Sequence, residues 1–147
     1  MNLSEHFSLK ELIVSDLAIR HKINNNPNNN DVMANLTRLA QLLEKVRTLF
    51  NKPIHINSAY RSLEVNNLLG SKPSSQHCIG CAADITINGI TPALVIQTIV
   101  HSNIPYDQII KEYDTWVHIS IPINETARPR KQALIIDNTG TRPYNNI

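Results

Sequence analysis

The sequence predicts an α+β fold, a small antiparallel β-sheet of about four strands with flanking helices. Three observations predict it. From Asp31 the apolar residues Val32, Leu36, Leu39, Leu43, Val46 and Phe50 recur at helical intervals, which defines one long amphipathic helix able to wall a core. The short runs PIHINS, CAADITI, DQIIKE and TWVHISI have strand character, with branched side chains suited to a pleated surface. The last two of them flank a tight turn, the mark of a hairpin. At 147 residues the chain fits one domain, 1–147, long enough to bury a core.

Composition narrows the function classes. With 41% hydrophobic and 18% charged residues the chain reads as an ordinary globular protein, and a net charge of +2 excludes a strong field toward nucleic acid. The weak basic excess is compatible with an acidic polymer. The start, MNLSEHFSLKEL, lacks an apolar stretch behind basic residues, and no apolar run reaches membrane-spanning length. The reading is cytoplasmic synthesis without a signal peptide, no membrane insertion, and a monomer. A lone C-x-x-C pair, Cys78 and Cys81, makes neither a four-cysteine zinc site nor a disulfide framework. Two small buried thiols are expected there rather than redox chemistry.

The elements follow in order. Ser8-Leu9-Lys10-Glu11 is a capping box ahead of Leu12 and Ile13, and Ser15 opens a second turn through Asp16 to Arg20, so residues 1–22 form an N-terminal helical segment. The run Asn24 to Asn30, broken by Pro27, is predicted as an exposed loop, because its side chains compete with helical backbone bonds and bury little. After the long helix, PIHINS places Ile54 and Ile56 on one strand face and an exposed His55 on the other. Tyr60-Arg61-Ser62 then begins a helix that Gly70 terminates. Ser71 to Gln76 is a polar loop, and the next strand ends near Ile87. Asn88-Gly89 turns the chain, Thr91 caps and Pro92 takes the first helical position. The helix from Ala93 to His101 is read with Leu94, Val95, Thr98 and Ile99 inward and His101 facing its C-terminal dipole.

The hairpin has two possible registers. A three-residue loop, Tyr113-Asp114-Thr115, pairs Glu112 with Trp116 and Ile110 with His118, and puts Glu112, Trp116 and His118 on one face. A two-residue loop pairs Glu112 with Thr115 and turns it away. Asp114 tolerates left-handed geometry, which favours the longer loop. Beyond Pro122, Arg128, Arg130 and Lys131 read as solvated surface or as a contact for an anionic polymer. QALIIDN adds an edge strand, and 139–147 is a flexible tail.

Chemistry gathers in two stretches. Ser75 to Asp84, SQHCIGCAAD, together with Trp116-Val117-His118, supplies two imidazoles and a carboxylate, His77, Asp84 and His118. Zinc in hydrolytic sites takes three such ligands and keeps a fourth position for water. A turn at Gly80 releases His77, while a strand carries Asp84 with small Ala82 on the same face, leaving room for an ion. Arg61 sits at a strand-to-helix junction, where its planar fork can grip a carboxylate or a peptide carbonyl. The alternative is a structural pair with Glu64 or Asp84.

The elements Ser75-x-His77, Gly80-x-Ala82-x-Asp84 and Trp116-x-His118 resemble the signature of the zinc D-alanyl-D-alanine carboxypeptidase family. That family is related to vancomycin-resistance dipeptidases, phage endolysins and, more distantly, the Hedgehog signalling domain. The opening HFSLKEL and SDLAIR, the SAYRS segment and the two metal stretches occur in the family's order. The resemblance implies a Hedgehog/DD-peptidase-like fold with Zn2+ on one sheet face, held by His77, Asp84 and His118. It also implies a peptidoglycan or muropeptide substrate and a substrate contact at Arg61. Ser75 looks like the family's substrate-binding or metal-supporting serine, with a plain turn serine as the alternative, and Trp116 packs against the site.

The general base departs from part of the family. Many members carry an acidic residue three places before the last ligand, where this chain has Thr115. The spacing of Glu112 matches the Hedgehog-branch variant, so Glu112 is preferred as base, with Asp114 second. The resemblance implies hydrolysis of stem peptides, as a D-Ala-D-Ala carboxypeptidase or an L-Ala-D-Glu-type endopeptidase. It suggests a lytic enzyme that reaches the wall after release through a holin or lysis. Two rival classes are a zinc-stabilised peptide-binding module and a structural part of a phage particle.

Overall fold

Local capping fixes most helix starts. In the computed structural model, which describes residues 1–145, α1 (Leu9–Ile13) carries the complete Ser8/Glu11 capping box and α2 (Asp16–Arg20) is capped by the Ser15 hydroxyl. Helix α3 spans Asn30–Phe50, with the Asn29 side chain accepting from the first free backbone N–H groups; it starts one residue earlier than the apolar pattern suggests because the cap decides. Helices α4 (Leu63–Leu68) and α5 (Pro92–Val100) are capped by Ser62 and Thr91. The strands are β1 (His55–Ser58), β2 (Ala82–Thr86), β3 (Gln108–Glu112), β4 (Trp116–Ser120), β5 (Gln132–Asp137) and β6 (Gly140–Pro143). Among the described residues, no helix is long and apolar enough to cross a membrane.

The fold class is α+β as the sequence predicts, but the sheet is larger and mixed. Its order is β1-β2-β4-β3-β5-β6. The first four strands in that order, β1, β2, β4 and β3, pair antiparallel, whereas β5 joins β3 in parallel. The QALIID run is therefore an interior strand, covered by β6. The parallel pair is seeded by Asp107, whose carboxylate accepts from the Arg130 N–H at 3.0 Å and whose carbonyl accepts from the Gln132 N–H at 3.0 Å. The predicted flexible tail is corrected through Pro143. Thr139 caps on the Asp137 carboxylate, Arg142 pairs with it at 2.8 Å, and β6 closes a hairpin on β5. The last two residues of that tail, 146 and 147, lie outside the described residues.

One sheet face builds the core. Leu36, Leu39, Leu43 and Val46 of α3 and Val95, Ile96 and Ile99 of α5 pack on Ala83, Ile85, Ile109, Val117 and Ile119, all fully buried. Each such large aliphatic side chain contributes about 1.5–3 kcal/mol by leaving water. The phase of α5 corrects the inward set. Leu94 is 49% exposed, since the 95/96/99 stripe is the wider apolar face and turns its neighbour outward. Residues alternate along each strand, so Asp84, Ile110, Glu112 and His118 point to the face opposite the core.

The Asn-rich loop holds a second correction, because Asn25 is buried. Its amide donates to the carbonyls of Ile13 at 2.7 Å and Tyr60 at 3.2 Å, and its oxygen accepts from the Ser62 N–H at 2.7 Å. It thereby clamps the end of α1 to the junction that carries Arg61. Asn25→Ala orphans three half-buried backbone groups and is expected to cost about 2 kcal/mol, read as a lower midpoint in urea. An unchanged midpoint would show that water replaces the clamp without loss.

Candidate metal centre

Each candidate ligand arrives by a different local device. A 3-10 turn, Gln76–Ile79, carries His77; the Ser75 hydroxyl accepts from the His77 N–H at 3.2 Å, and Gly80 ends the turn at φ 79°. Asp84 and His118 stand directly opposite one another on β2 and β4. All three side chains are buried. Their nitrogen and carboxylate atoms lie within 4.8 Å of one another.

Contacts on the far side of each ring decide which atoms face inward. His77 Nδ1–H donates to the Ala59 carbonyl at 2.7 Å, which leaves Nε2 facing Asp84 Oδ1 at 3.4 Å. His118 turns Nδ1 toward the same oxygen at 3.2 Å, with Nε2 3.4 Å from Gln76 Oε1. The rings meet edge to face with centroids 5.2 Å apart. Two imidazole nitrogens and a carboxylate oxygen at these separations repel unless a cation or protons lie between them. Burial raises the Asp84 carboxyl, but where His118 and His77 carry a proton toward it, in place of a cation, their hydrogen bonds outweigh that and hold it well below the usual carboxylate range. Two neutral imidazoles with outer hydrogen-bond partners and one ionised carboxylate are a donor set that fits zinc with an open position.

The trio opens into a cleft of about 800 Å³ on the non-core sheet face. A depression of about 840 Å³ along the outer side of α3 gathers no histidine or cysteine, so the chemistry lies in the former. The hairpin has the three-residue loop. Glu112 pairs with Trp116 and Ile110 with His118, while Tyr113 and Asp114 are both left-handed at φ 54°. Glu112 therefore stands one alternate position along from the ligand pair, lining the cleft, and its Oε2 accepts from Trp116 Nε1.

Arg61 and Ser75 also line the cleft. The ion pairs of Asp84 go to the two histidines and not to Arg61, whose buried Nε has no hydrogen-bond partner among the described residues. Asp114 does not join them. It pairs with Lys111 at 2.7 Å and its side chain is 73% exposed, because the left-handed loop turns it away from the ligand face. Both cysteines are free thiols, Cys81 fully buried against the core, and burial pushes both thiols up.

Three residues in the site escape sequence reasoning. Arg130 lines the cleft and grips the buried carboxylate of Asp107 at 2.7 Å, so the basic cluster is not simply solvated. Gln76 donates to Asp107 Oδ2 at 3.3 Å. Burial raises the Asp107 carboxyl, but its bonds with Arg130 and Gln76 hold it below its ordinary value. The one local signal was the place of Gln76 immediately before His77.

A sheet that presents two histidines and a carboxylate in an open cleft, with a glutamate beside them, defines a metallopeptidase framework. The chain belongs to the Peptidase M15 family, whose model matches residues 5–120 and so takes in His77, Asp84, Glu112 and His118. That family is zinc-dependent and acts on peptidoglycan-type substrates. Comparison with curated proteins gives no match.

Proposed function

We propose that this peptidase hydrolyses peptide bonds in peptidoglycan stem peptides, with zinc held by His77, Asp84 and His118. The observation that carries the reading is the convergence of His77 Nε2, Asp84 Oδ1 and His118 Nδ1 in a cleft that Glu112 shares. Zinc bound there supplies a water with a pKa of about 7 and a Lewis acid for the scissile carbonyl. Glu112 accepts the proton of the attacking water and returns it to the leaving amine. Trp116 holds that carboxylate by its indole N–H and shields it from bulk water. Arg61, whose buried Nε is unpaired among the described residues, binds a substrate carboxylate or carbonyl and stabilises the oxyanion. Ser75 acts through His77, whose turn it caps.

A base present on the ligand face favours turnover over a metal-stabilised binding module. The test is to incubate zinc-loaded protein with peptidoglycan fragments, with and without a chelator, and weigh the products. Cleavage that the chelator abolishes is expected, and the product masses distinguish D-Ala-D-Ala carboxypeptidase from L-Ala-D-Glu endopeptidase action. Intact fragments in the presence of stoichiometric zinc would overturn the proposal and leave a wall-peptide binding module.

A further inference from the structure

A line of side chains stands behind His118. Exposed Arg130 donates to Asp107 Oδ2 from Nε at 3.1 Å and from Nη2 at 2.7 Å, and buried Asp107 accepts from Gln76 Nε2 through the same oxygen at 3.3 Å. An ionised carboxylate only accepts hydrogen bonds. It therefore holds the Gln76 amide with nitrogen toward Asp107 and oxygen toward His118 Nε2, 3.4 Å away. The flipped amide would set its oxygen against the carboxylate. An acceptor at Nε2 demands a proton there and leaves Nδ1 with a lone pair aimed at Asp84. The opposite tautomer would put a proton between His118 and Asp84, where a metal belongs.

We propose that Gln76 is a positioning residue: locked by Asp107 and Arg130, it selects the Nε2–H tautomer of His118 and so sets the metal affinity of the centre. The proposal rests on the zinc reading above. Outer hydrogen bonds to a ligating histidine fix its ring orientation and raise its basicity, and removing them costs roughly 10–100-fold in metal affinity. Arg130, the outermost member, belongs to the loop that leads into β5, so the metal centre and the outer hairpin share one ion pair.

The first measurement needs no variant. Long-range proton–nitrogen correlation spectra of the zinc-loaded, nitrogen-labelled protein are expected to show His118 protonated at Nε2 and metal-bound at Nδ1. A protein that takes up no zinc would overturn the metal reading and the inference together; zinc bound through Nε2 would overturn the inference alone. The second measurement is zinc affinity by competition with a chromophoric chelator, with the cobalt-substituted spectrum as reporter. Gln76→Leu keeps volume, removes the acceptor and is expected to bind zinc roughly 10–100-fold more weakly, with an altered cobalt spectrum. Gln76→Glu keeps an acceptor facing His118 Nε2 and should bind zinc more tightly than Gln76→Leu. Parent affinity in Gln76→Leu, or an affinity in folded Gln76→Glu no higher than that of Gln76→Leu, would overturn the proposal.

Discussion

Glu112→Gln is expected to leave zinc bound at the parent stoichiometry and to slow peptide hydrolysis by roughly a hundredfold to ten-thousandfold, the worth of a positioned general base. The substitution preserves shape, and the amide oxygen can still accept from the Trp116 indole N–H as Glu112 does. What it removes is the capacity to take a proton. The hairpin makes the comparison sharp, because Asp114 is only two positions away yet sits on Lys111 in solvent. Asp114→Asn should therefore retain near-parent turnover. Steady-state rates on the fragment that the parent cleaves, with bound zinc measured in each sample, decide the matter. Full activity in Glu112→Gln would remove the glutamate from the mechanism, and collapse in Asp114→Asn would give the role to its neighbour.

What the sequence made legible was local. The Ser8/Glu11 box, the Ser15 and Thr91 caps and the α3 stripe depend on residues within one or two turns. The hairpin register was readable because a left-handed Asp114 selects one of two loops, and Tyr113 shares that geometry. The cluster of His77, Asp84 and His118 was readable because a turn, a strand and a hairpin each present one donor. The unread parts are held by distant partners. Asn25 looked like one more loop asparagine until its contacts to Tyr60 and Ser62 were in place. Arg130 looked like solvated charge because the carboxylate that binds it lies 23 residues upstream. Strand β6 follows from Asp137, Thr139 and Arg142 joining in one turn, where few apolar residues announce a strand. The phase of α5 was missed at Leu94 because a helix in which most positions are apolar leaves its buried face to tertiary packing.

Gly80→Ala is expected to be the most destabilising substitution in the neighbourhood of the site, by about 2–5 kcal/mol. Two costs combine. At φ 79° a side chain sits in the left-handed region, worth about 1–2 kcal/mol. The added Cβ would also lie 3.0 Å from the Val32 carbonyl oxygen and 3.1 Å from Leu36 Cγ, and overpacking of this kind costs about 1–3 kcal/mol. The Val32 oxygen belongs to the backbone of the long α3, which cannot yield as a side-chain tip can. Gly70→Ala is the control. Its φ of +70° is equally left-handed, but no atom of the described residues lies within 4 Å of the added carbon, so it carries the conformational cost alone. Thermal melts should place Gly80→Ala about 5–15 °C below the parent and Gly70→Ala only a few degrees below. Because Gly80 closes the turn that aims His77, zinc should stabilise Gly80→Ala less than it stabilises the parent, whereas Gly70→Ala should keep the full increment that ligand binding adds. Equal melting points for the two variants would mean that α3 gives way at Val32. Equal zinc increments would mean that the turn carries His77 into place even when its closure is strained.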